Sequence, residues 1–212
     1  SAVLIVLGTA VFLTFEYQNP GTMGELNFFE KLNSALFQSV TTRTAGFNTL
    51  DLGAMTETSK ASMIILMFIG GASGSTAGGI KITTFSVILI AVISQVYGSD
   101  EAVIFNRKIS SSIVRKSLAI FSVGIIYILV ITITILAIES GKTFIDMLYE
   151  VTSAFGIVGL STASTPTLHN LSKLLLIPTM FLGRVGPVTF AIALTQKRSK
   201  NEDRIFPDGK IM

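Results

Sequence analysis

Two short stretches of the sequence combine glycine with hydroxyl-bearing residues, and they offer backbone oxygen atoms rather than reactive side chains. Residues 41–49 hold Gly46 among several threonines, and residues 156–162 hold Gly159 with a serine and a threonine. Glycine permits the unusual φ values that turn carbonyl groups toward a bound cation. Rings of such carbonyl groups can replace the hydration shell of potassium. Both stretches are therefore candidate cation-coordinating loops.

Side chains suited to catalysis or to metal binding are scarce. The sequence has no cysteine and a single histidine, His169, and its apolar segments contain no serine–histidine or paired-carboxylate arrangement. Nucleophilic hydrolysis and zinc sites need such sets of residues. We therefore predict that the protein is not an enzyme and holds no organic cofactor. A proton-relay role for His169 is the alternative to a solvated loop histidine.

A third glycine-rich stretch, residues 70–81, lies between two apolar segments. Five glycines in ten residues oppose a continuous helix, so we expect this crossing to be broken. We interpret the break as a flexible gate, with Arg184 as the candidate partner of its carbonyl and hydroxyl groups. The alternative is that the small residues only allow close helix packing. A phosphate-binding loop is excluded because its motif needs glycine, lysine and then serine or threonine in direct succession. Here Ile80 separates Gly79 from Lys81, and Ile82 follows Lys81.

The segments that position these stretches are strongly apolar. Hydrophobic residues make up 50% of the 212 residues and charged residues 14%, whereas soluble domains carry about 25% charged residues. Residues 117–138 carry no charge and are long enough to cross a bilayer core of about 30 Å. Residues 2–15 and 82–97 are shorter apolar runs. The composition predicts an all-α integral membrane protein.

A sequence repeat organises the chain into two units. Residues 67–70 recur as residues 180–183, and residues 45–47 recur as residues 158–160 at the same offset. The agreement in order and spacing indicates a duplicated unit. Repeats of this kind are common in membrane transport proteins.

Each unit has the same predicted plan. An apolar helix is followed by a segment that is too short to span the membrane, at 28–40 and at 144–154, because 13 helical residues cover only about 20 Å. A glycine-containing loop comes next, and a second crossing at 60–97 or 171–196 closes the unit. Non-helical backbone at membrane depth is tolerated only inside protein or beside a watery cavity. The plan favours a pore-lining unit; a secondary carrier with broken helices and a purely structural subunit are the alternatives.

Basic residues collect in two parts of the chain, the connection at 98–116 and the tail at 197–212. Such residues gather on the cytoplasmic side of membrane proteins, so we expect both parts to lie inside. Nucleic-acid binding is disfavoured because no aromatic residues interleave with these charges. The predicted divisions are a pore unit at 1–97, the cytoplasmic connection, a second pore unit at 117–196 and the cytoplasmic tail.

Residues 41–48 and 70–81 together resemble motifs of the Trk/Ktr/HKT superfamily of potassium transporters, and most closely the membrane subunit of bacterial Ktr systems. The resemblance covers nearly the whole chain. It implies the third and fourth helix–pore-helix–filter-loop–helix units of a four-unit, potassium-channel-like pore. Because the first apolar run also has no basic leader, we expect the chain to be the C-terminal half of a longer protein.

The resemblance implies a function and partners as well. It implies potassium uptake, with Na⁺ dependence typical of this branch, by a multi-pass protein in the plasma (inner) membrane of a bacterium. It implies a homodimer in membrane lipid and a cytoplasmic ring of nucleotide-binding subunits that respond to ATP and ADP. Residues 206–210 resemble the C-terminus that packs at the dimer interface.

The resemblance also assigns site residues. The backbone carbonyl groups of the selectivity filter, which would bind the transported K⁺, belong to Thr44, Ala45, Gly46, Phe47, Ile157, Val158, Gly159 and Leu160. The gate comprises Gly70, Gly71, Ala72, Ser73, Gly74, Ser75, Thr76, Ala77, Gly78, Gly79 and Lys81, with Arg184 in contact with it.

Three charged residues lie beside these segments. Arg43 would repel a cation if it faced the pore, so we expect it to support the short helix or loop from behind, with a carboxylate as its partner. Asp146 and Glu150 either attract cations to an outer mouth or belong to a wetted helix face.

Overall fold

The computed structural model describes residues 1–72, 74–75, 77–98, 102–104, 107–162 and 165–186. In chain order these residues form α1 (Ala2–Glu16), α2 (Phe28–Thr41), α3 (Glu57–Phe68), α4 (Ile82–Val96), β1 (Val103–Ile104), β2 (Arg107–Lys108), α5 (Ser111–Ile138), α6 (Phe144–Gly156), a 3₁₀ turn (Thr165–Thr167) and α7 (Asn170–Val185).

The helices follow the same order twice. α1, α2 and the pair α3 and α4 form the first unit, and α5, α6 and α7 form the second. Within the units α2 packs on α1, and α6 packs on α5 and α7. The units are joined where α6 packs against α3 and where α4 packs against α5. Both units therefore have the predicted order of helix, short helix, loop and second crossing.

The short helices begin where the sequence predicts, because each is capped by a side chain. Asn27 accepts a hydrogen bond from the backbone N–H of Glu30, whose carboxylate accepts one from Asn27 in return. Thr143 caps α6 by accepting from the N–H of Asp146. With 14 and 13 residues, α2 and α6 reach about 20 Å, which is less than a bilayer core.

The helix α5 is, among the described residues, the one that is long and apolar enough to cross a membrane. Its 28 residues begin at Ser111, earlier than the apolar run that starts at 117, because Ser110 accepts a hydrogen bond from the N–H of Ser112. Arg115 and Lys116, at the end of the predicted cytoplasmic connection, therefore lie in the first turns of α5. α1 and α4 are shorter apolar helices.

The second crossings of the two units differ. In the first unit α3 ends at Phe68 and α4 begins at Ile82, which confirms the predicted break. In the second unit α7 continues through Gly183 and Arg184 and is capped by Gly186, which has φ +86°. The glycines of the second unit therefore do not interrupt the helix before Val185.

The chain is mostly helical, as predicted, and the connection between the units adds one short two-stranded ribbon. β1 and β2 pair antiparallel there, with Val103 opposite Lys108 and Ile104 opposite Arg107. Short connections that reverse direction favour a two-stranded ribbon of this kind.

Two buried apolar clusters hold the units together. One contains Phe12, Met63 and Met67 together with Tyr149 of the second unit. The other contains Ile80 of the first unit together with Phe155 and further residues of α5, α6 and α7. Met63 and Met67 thus make packing contacts, and Met180 is 45% exposed.

Candidate functional site

The first predicted filter segment leaves the end of α2 in an unusual backbone conformation. Thr44 has φ +70° and Gly46 has φ +77°. The hydroxyl of Thr41, in the last turn of α2, donates a hydrogen bond to the carbonyl oxygen of Phe47. Positive φ is uncommon for residues other than glycine, and especially so for a β-branched residue such as Thr44. The segment therefore turns back on the helix that precedes it.

The second predicted segment repeats this conformation at the equivalent positions. Ile157 has φ +51° and Gly159 has φ +87°. Ile157 is the C-cap of α6, and its N–H donates to the carbonyl oxygen of Ala154 at 3.1 Å. In both segments one residue that does not have positive φ, Ala45 or Val158, separates the two left-handed residues.

The structure brings the two segments into contact. A Cβ atom on Gly46 would lie 2.5 Å from the carbonyl oxygen of Val158, and a Cβ atom on Gly159 would lie 3.8 Å from Gly46 Cα. The Thr44 hydroxyl also faces the carbonyl oxygen of Gly156, at 3.4 Å. Both φ and space therefore require glycine at 46, while φ alone requires it at 159.

The side chains of the segments point in different directions. Phe47 is 71% exposed, whereas Val158 and Leu160 are 4% and 3% exposed and belong to the core. Ala45 and Gly159 are exposed. Apart from Phe47, the exposed residues named here have a small side chain or none, which leaves their backbone accessible for coordination by carbonyl oxygen atoms.

Glu150 supports the second segment from α6. Its carboxylate is buried and accepts hydrogen bonds from the Ser161 hydroxyl at 2.6 Å, the Thr162 N–H at 3.1 Å and the Thr165 hydroxyl. Hydrogen bonds to an ionised carboxylate are stronger than bonds between neutral groups. The interpretation of Glu150 as part of a wetted helix face was therefore wrong, whereas the attraction of cations to an outer mouth stays a prediction.

Asp146, on the same helix, joins the two units. Its carboxylate accepts a hydrogen bond from Lys60 Nζ of α3 at 3.0 Å, with side-chain exposures of 10% for Lys60 and 21% for Asp146. The Thr143 hydroxyl donates to its second oxygen at 2.7 Å. The wetted-face interpretation is wrong here too, because the carboxylate is paired and mostly covered.

Arg43 supports the first segment, but its partners are carbonyl groups. Its Nη1 donates to the carbonyl oxygen of Leu66 at 3.2 Å and to that of Ile69. The expectation that it supports the loop from behind is confirmed, and the expectation of a carboxylate partner is wrong. The last carbonyl groups of a helix lack intrahelical partners, and a cation there also interacts well with the helix dipole.

The glycine-rich stretch forms a loop that is closed at its base. Gly70 N–H donates to the Ile80 carbonyl oxygen at 2.8 Å, and Ile80 N–H donates to that of Phe68 at 3.1 Å. A Cβ atom on Gly70 would lie 2.0 Å from the carbonyl oxygen of Gly78. Only glycine at 70 allows the two arms of the loop to lie this close. Ser73 and Thr76, both predicted gate residues, lie outside the described residues.

One arm of the loop lies directly against the start of the second segment. A Cβ atom on Gly78 would lie 2.8 Å from the carbonyl oxygen of Gly156 and 2.7 Å from Cγ1 of Ile157. Gly74, near the tip, has φ +85° and no heavy atom within 4 Å of an added Cβ. Close packing thus explains Gly70 and Gly78, whereas at Gly74 the requirement for glycine is conformational.

Lys81 donates to two carbonyl groups of the loop. Its Nζ lies 3.2 Å from the Ser75 carbonyl oxygen and also donates to that of Ala77. Arg184 lines a cavity of about 210 Å³ together with Ala77 and Gly79. The structure therefore places Arg184 beside the loop as predicted, and it gives Lys81 a role that the sequence did not reveal.

Sequence reasoning also missed two acidic residues, each at the end of the first helix of a unit. Buried Glu16 accepts hydrogen bonds from the N–H and the hydroxyl of Thr56, at 3.0 and 2.7 Å. Glu139 accepts one from the N–H of His169 at 2.7 Å. Thr56 and His169 are the N-caps of α3 and α7. The repeated position of an acidic residue at the end of an apolar helix is the signal that could have identified both.

His169 is an exposed loop residue, in line with the simpler of its two interpretations. Its Nδ1 accepts a hydrogen bond from the N–H of Leu171 at 3.3 Å, so the side chain caps α7. Within the described residues, no group of three or more histidine, aspartate or glutamate side chains could hold a metal ion.

Relatives of known name cover almost the whole chain. It is 43% identical over 210 residues to the Ktr system potassium uptake protein B of Bacillus subtilis (strain 168), which is 98% of this chain and 46% of that protein. It is 37% identical over 218 residues to the potassium/sodium uptake protein NtpJ of Enterococcus hirae, which is 100% of this chain and 48% of that protein. The chain thus spans about half the length of the relatives it matches.

A solved structure and a family profile also match this chain. The crystal structure of the potassium transporter TrkH from Vibrio parahaemolyticus is similar with a TM-score of 0.71 and 21% identity, over 92% of this chain and 42% of that one. This likeness supports the fold. The family profile of TrkH, described as a cation transport protein, matches residues 2–204. The predicted superfamily is confirmed, and the chain belongs to the TrkH family of cation transport proteins.

Proposed function

We propose that this chain forms half of a potassium-uptake pore and that residues 44–47 and 157–160 are two segments of its selectivity filter. One observation carries the proposal: the left-handed residues recur at equivalent positions of the two segments, and the segments meet at Gly46 and Gly159. Alternation of left-handed residues with other residues can present successive carbonyl oxygen atoms to the same side of a strand. A dehydrated K⁺ needs such a row of oxygen atoms.

The two filter segments require further segments to enclose an ion. We propose two more units, arranged with these two around one pore, in line with the shorter length of this chain relative to its matches. The pore units at 1–97 and 117–196 would then be the third and fourth quarters. The relatives bear the names of potassium and potassium/sodium uptake proteins, so K⁺ is the proposed substrate and Na⁺ the proposed coupling ion.

The orientation in the membrane follows from charge. We propose that the connection at 98–116 and the tail at 197–212 face the cytoplasm, because their basic residues favour that side. The short helices α2 and α6 would then enter the bilayer from outside and end at the filter. The protein would be a multi-pass protein of the bacterial plasma membrane.

The loop at 70–81 is the proposed gate. It lies against Gly156 and Ile157 at the start of the second filter segment, and it is fixed at its base by the Gly70–Ile80 hydrogen bond. Lys81 and Arg184 flank it. Changes in the contacts of these two cations would favour open or closed positions of the loop.

The proposed partners follow the family resemblance. We propose a homodimer and a cytoplasmic ring of nucleotide-binding subunits, in which exchange of ATP and ADP regulates uptake. The dimer contacts proposed for residues 206–210 lie outside the described residues. The names of these relatives are those of uptake proteins, and a role as a transporter rather than an enzyme agrees with them.

A substitution at Gly159 tests the proposed filter. The chain would be expressed from its complete reading frame in bacteria that lack potassium uptake, and rubidium uptake would be measured with and without Gly159→Ser. We expect the variant to raise the apparent KM for rubidium and to weaken discrimination against sodium, because serine strains a backbone at φ +87°.

A matched control separates the filter from backbone strain in general. Gly141 has φ +81° and no heavy atom within 4 Å of an added Cβ, and it lies in the loop between α5 and α6. We expect Gly141→Ser to leave the KM and the sodium discrimination unchanged. Equal kinetics for the unaltered protein and Gly159→Ser would remove Gly159 from ion coordination.

A further inference from the structure

Arg43 connects the first filter segment to the place where the gate loop begins. It lies between Thr42, the C-cap of α2, and Thr44, the first left-handed residue of the segment. Its Nη1 donates to the carbonyl oxygen atoms of Leu66 and Ile69. Ile69 is the C-cap of α3 and the last residue before the loop. A single side chain therefore joins the filter segment to the base of the loop.

The contact also answers a structural need of the broken crossing. α3 ends at Phe68, and the carbonyl groups of its last turn have no partners within the helix. At membrane depth such groups must be satisfied by protein. Ile80 N–H satisfies the carbonyl group of Phe68 at 3.1 Å, and Arg43 satisfies those of Leu66 and Ile69. Arg43 and the returning arm of the loop thus complete the end of α3 together.

Among its described residues, the second unit shows no such connection. The position equivalent to Arg43 is Gly156, and a Cβ atom there would lie 2.8 Å from the carbonyl oxygen of Met67. The second crossing of that unit, α7, continues as a helix to Val185. The arginine therefore occurs in the unit whose crossing is interrupted, and it contacts the interruption itself.

We infer that Arg43 is a positioning residue that couples the gate loop to the first filter segment, so that displacement of the loop base at Ile69 changes the K⁺ affinity of residues 44–47. The inference rests on the proposed function, because it needs both a filter and a gate. Arg43 does not touch the ion in this scheme. It acts through the backbone of the residue that follows it and through the two carbonyl groups that it holds.

A double-mutant cycle tests the coupling directly. Lys81→Gln weakens the hold on the loop, because it removes the positive charge and shortens the side chain that donates to the carbonyl groups of Ser75 and Ala77. Arg43→Lys keeps the charge, but its side chain ends one bond earlier, so its ammonium group cannot occupy the position from which Nη1 donates to both carbonyl groups. Rubidium uptake is measured for the unaltered protein, for each single variant and for the double variant, with the membrane content of each protein quantified.

We expect Lys81→Gln to shift the apparent KM for rubidium by about fivefold when Arg43 is present, and by less than about twofold in the Arg43→Lys background. A purely structural role for Arg43 would lower the amount of protein without making the effect of Lys81→Gln depend on it. Equal shifts in the two backgrounds overturn the inference. Glu139→Gln serves as the control variant, because it lies in the loop after α5, and its effect is expected to be the same with either residue at 43.

A second measurement, the labelling of a single cysteine, keeps Arg43 unchanged and so does not need Arg43 variants to be present in the membrane. The chain has no cysteine, so one cysteine can be placed at Phe47, which is 71% exposed, with any other cysteine of the full protein replaced. We expect Lys81→Gln to change the rate at which a thiol reagent labels this cysteine by about threefold or more. An unchanged rate overturns the coupling.

The Gly159→Ser variant separates failure of the inference from failure of the proposed function. If Gly159→Ser changes the KM while the shifts in the cycle are equal, the coupling alone fails. If Gly159→Ser also leaves the KM and the sodium discrimination unchanged, the filter assignment fails and the coupling fails with it.

Discussion

The two candidate filter segments follow the same backbone path, but side chains of opposite charge support them. In the first, Thr44 and Gly46 have positive φ, and the neighbouring guanidinium of Arg43 holds the end of α3. In the second, Ile157 and Gly159 have positive φ, and the carboxylate of Glu150 holds the residues that follow. A duplicated backbone path has thus been kept while its supports have diverged.

Because of this difference, each segment is supported by a different part of the molecule. The support of the first segment comes from another helix, at the point where the gate loop starts. The support of the second comes from its own short helix, α6, and the loop touches it directly at Gly78. The two segments therefore offer separate ways to change the proposed filter.

The largest expected effect is the loss of uptake and stability on substitution of Gly46, compared with the same substitution of Gly159. Gly46→Ala brings a methyl group within 2.5 Å of the carbonyl oxygen of Val158, which adds overpacking of about 1–3 kcal/mol to backbone strain of about 1–3 kcal/mol. Gly159→Ala introduces strain of about 1–2 kcal/mol without a clash. We expect Gly46→Ala to abolish uptake and to lower the thermal unfolding midpoint of the detergent-solubilised protein well below that of Gly159→Ala.

Gly141→Ala is again the control, because it introduces the same strain in open space away from both segments. Its unfolding midpoint should match that of Gly159→Ala. Equal midpoints for Gly46→Ala and Gly159→Ala would contradict the close approach of the two segments.

The next effect concerns the support of the second segment. Glu150→Gln keeps the length of the side chain, but its amide group cannot accept all three hydrogen bonds from Ser161, Thr162 and Thr165. A hydrogen bond to a charged group contributes about 1.5–3 kcal/mol, so we expect the apparent KM for rubidium to rise by about tenfold. The maximal rate per protein molecule should change much less.

Variants of the donors sharpen this test and disturb folding less. Ser161→Ala and Thr165→Val each remove one donor, and each should raise the KM in the same direction but by a smaller factor. Glu139→Gln controls for the loss of a carboxylate in the same unit. An unchanged KM for Glu150→Gln at normal protein content would show that the carboxylate does not shape the filter.

Much of the fold was predictable because it depends on local patterns. The duplicated motifs indicated two units, and the starts of α2 and α6 were readable because capping residues precede them. The break after Phe68 followed from glycine content alone. These features need only neighbouring residues, so a sequence displays them directly.

The supports of the site were not predictable, because they depend on contacts between distant residues. Nothing in the sequence around Arg43 indicates that its partners are carbonyl groups at the end of α3. The sequence around Glu150 is that of a surface residue, because nothing in it shows that the loop after Gly159 folds back on α6 and donates hydrogen bonds to the carboxylate. The start of α5 was placed late for another reason: the capping residue Ser110 precedes a polar first turn that does not belong to the apolar run.

The smallest expected effect concerns Thr44, whose φ of +70° is unfavourable for a β-branched residue. Thr44→Gly removes strain of about 1–2 kcal/mol, but it adds about 0.5–1 kcal/mol of unfolded-state entropy and loses the weak contact of the hydroxyl with the Gly156 carbonyl oxygen at 3.4 Å. We therefore expect a change in unfolding free energy of less than about 1 kcal/mol and little change in the KM for rubidium. A large rise in KM in a stable Thr44→Gly protein would mean that the hydroxyl itself contributes to ion binding. The first segment would then differ from the second in its coordinating atoms as well as in its support, since Ile157 has no side-chain oxygen at the equivalent position.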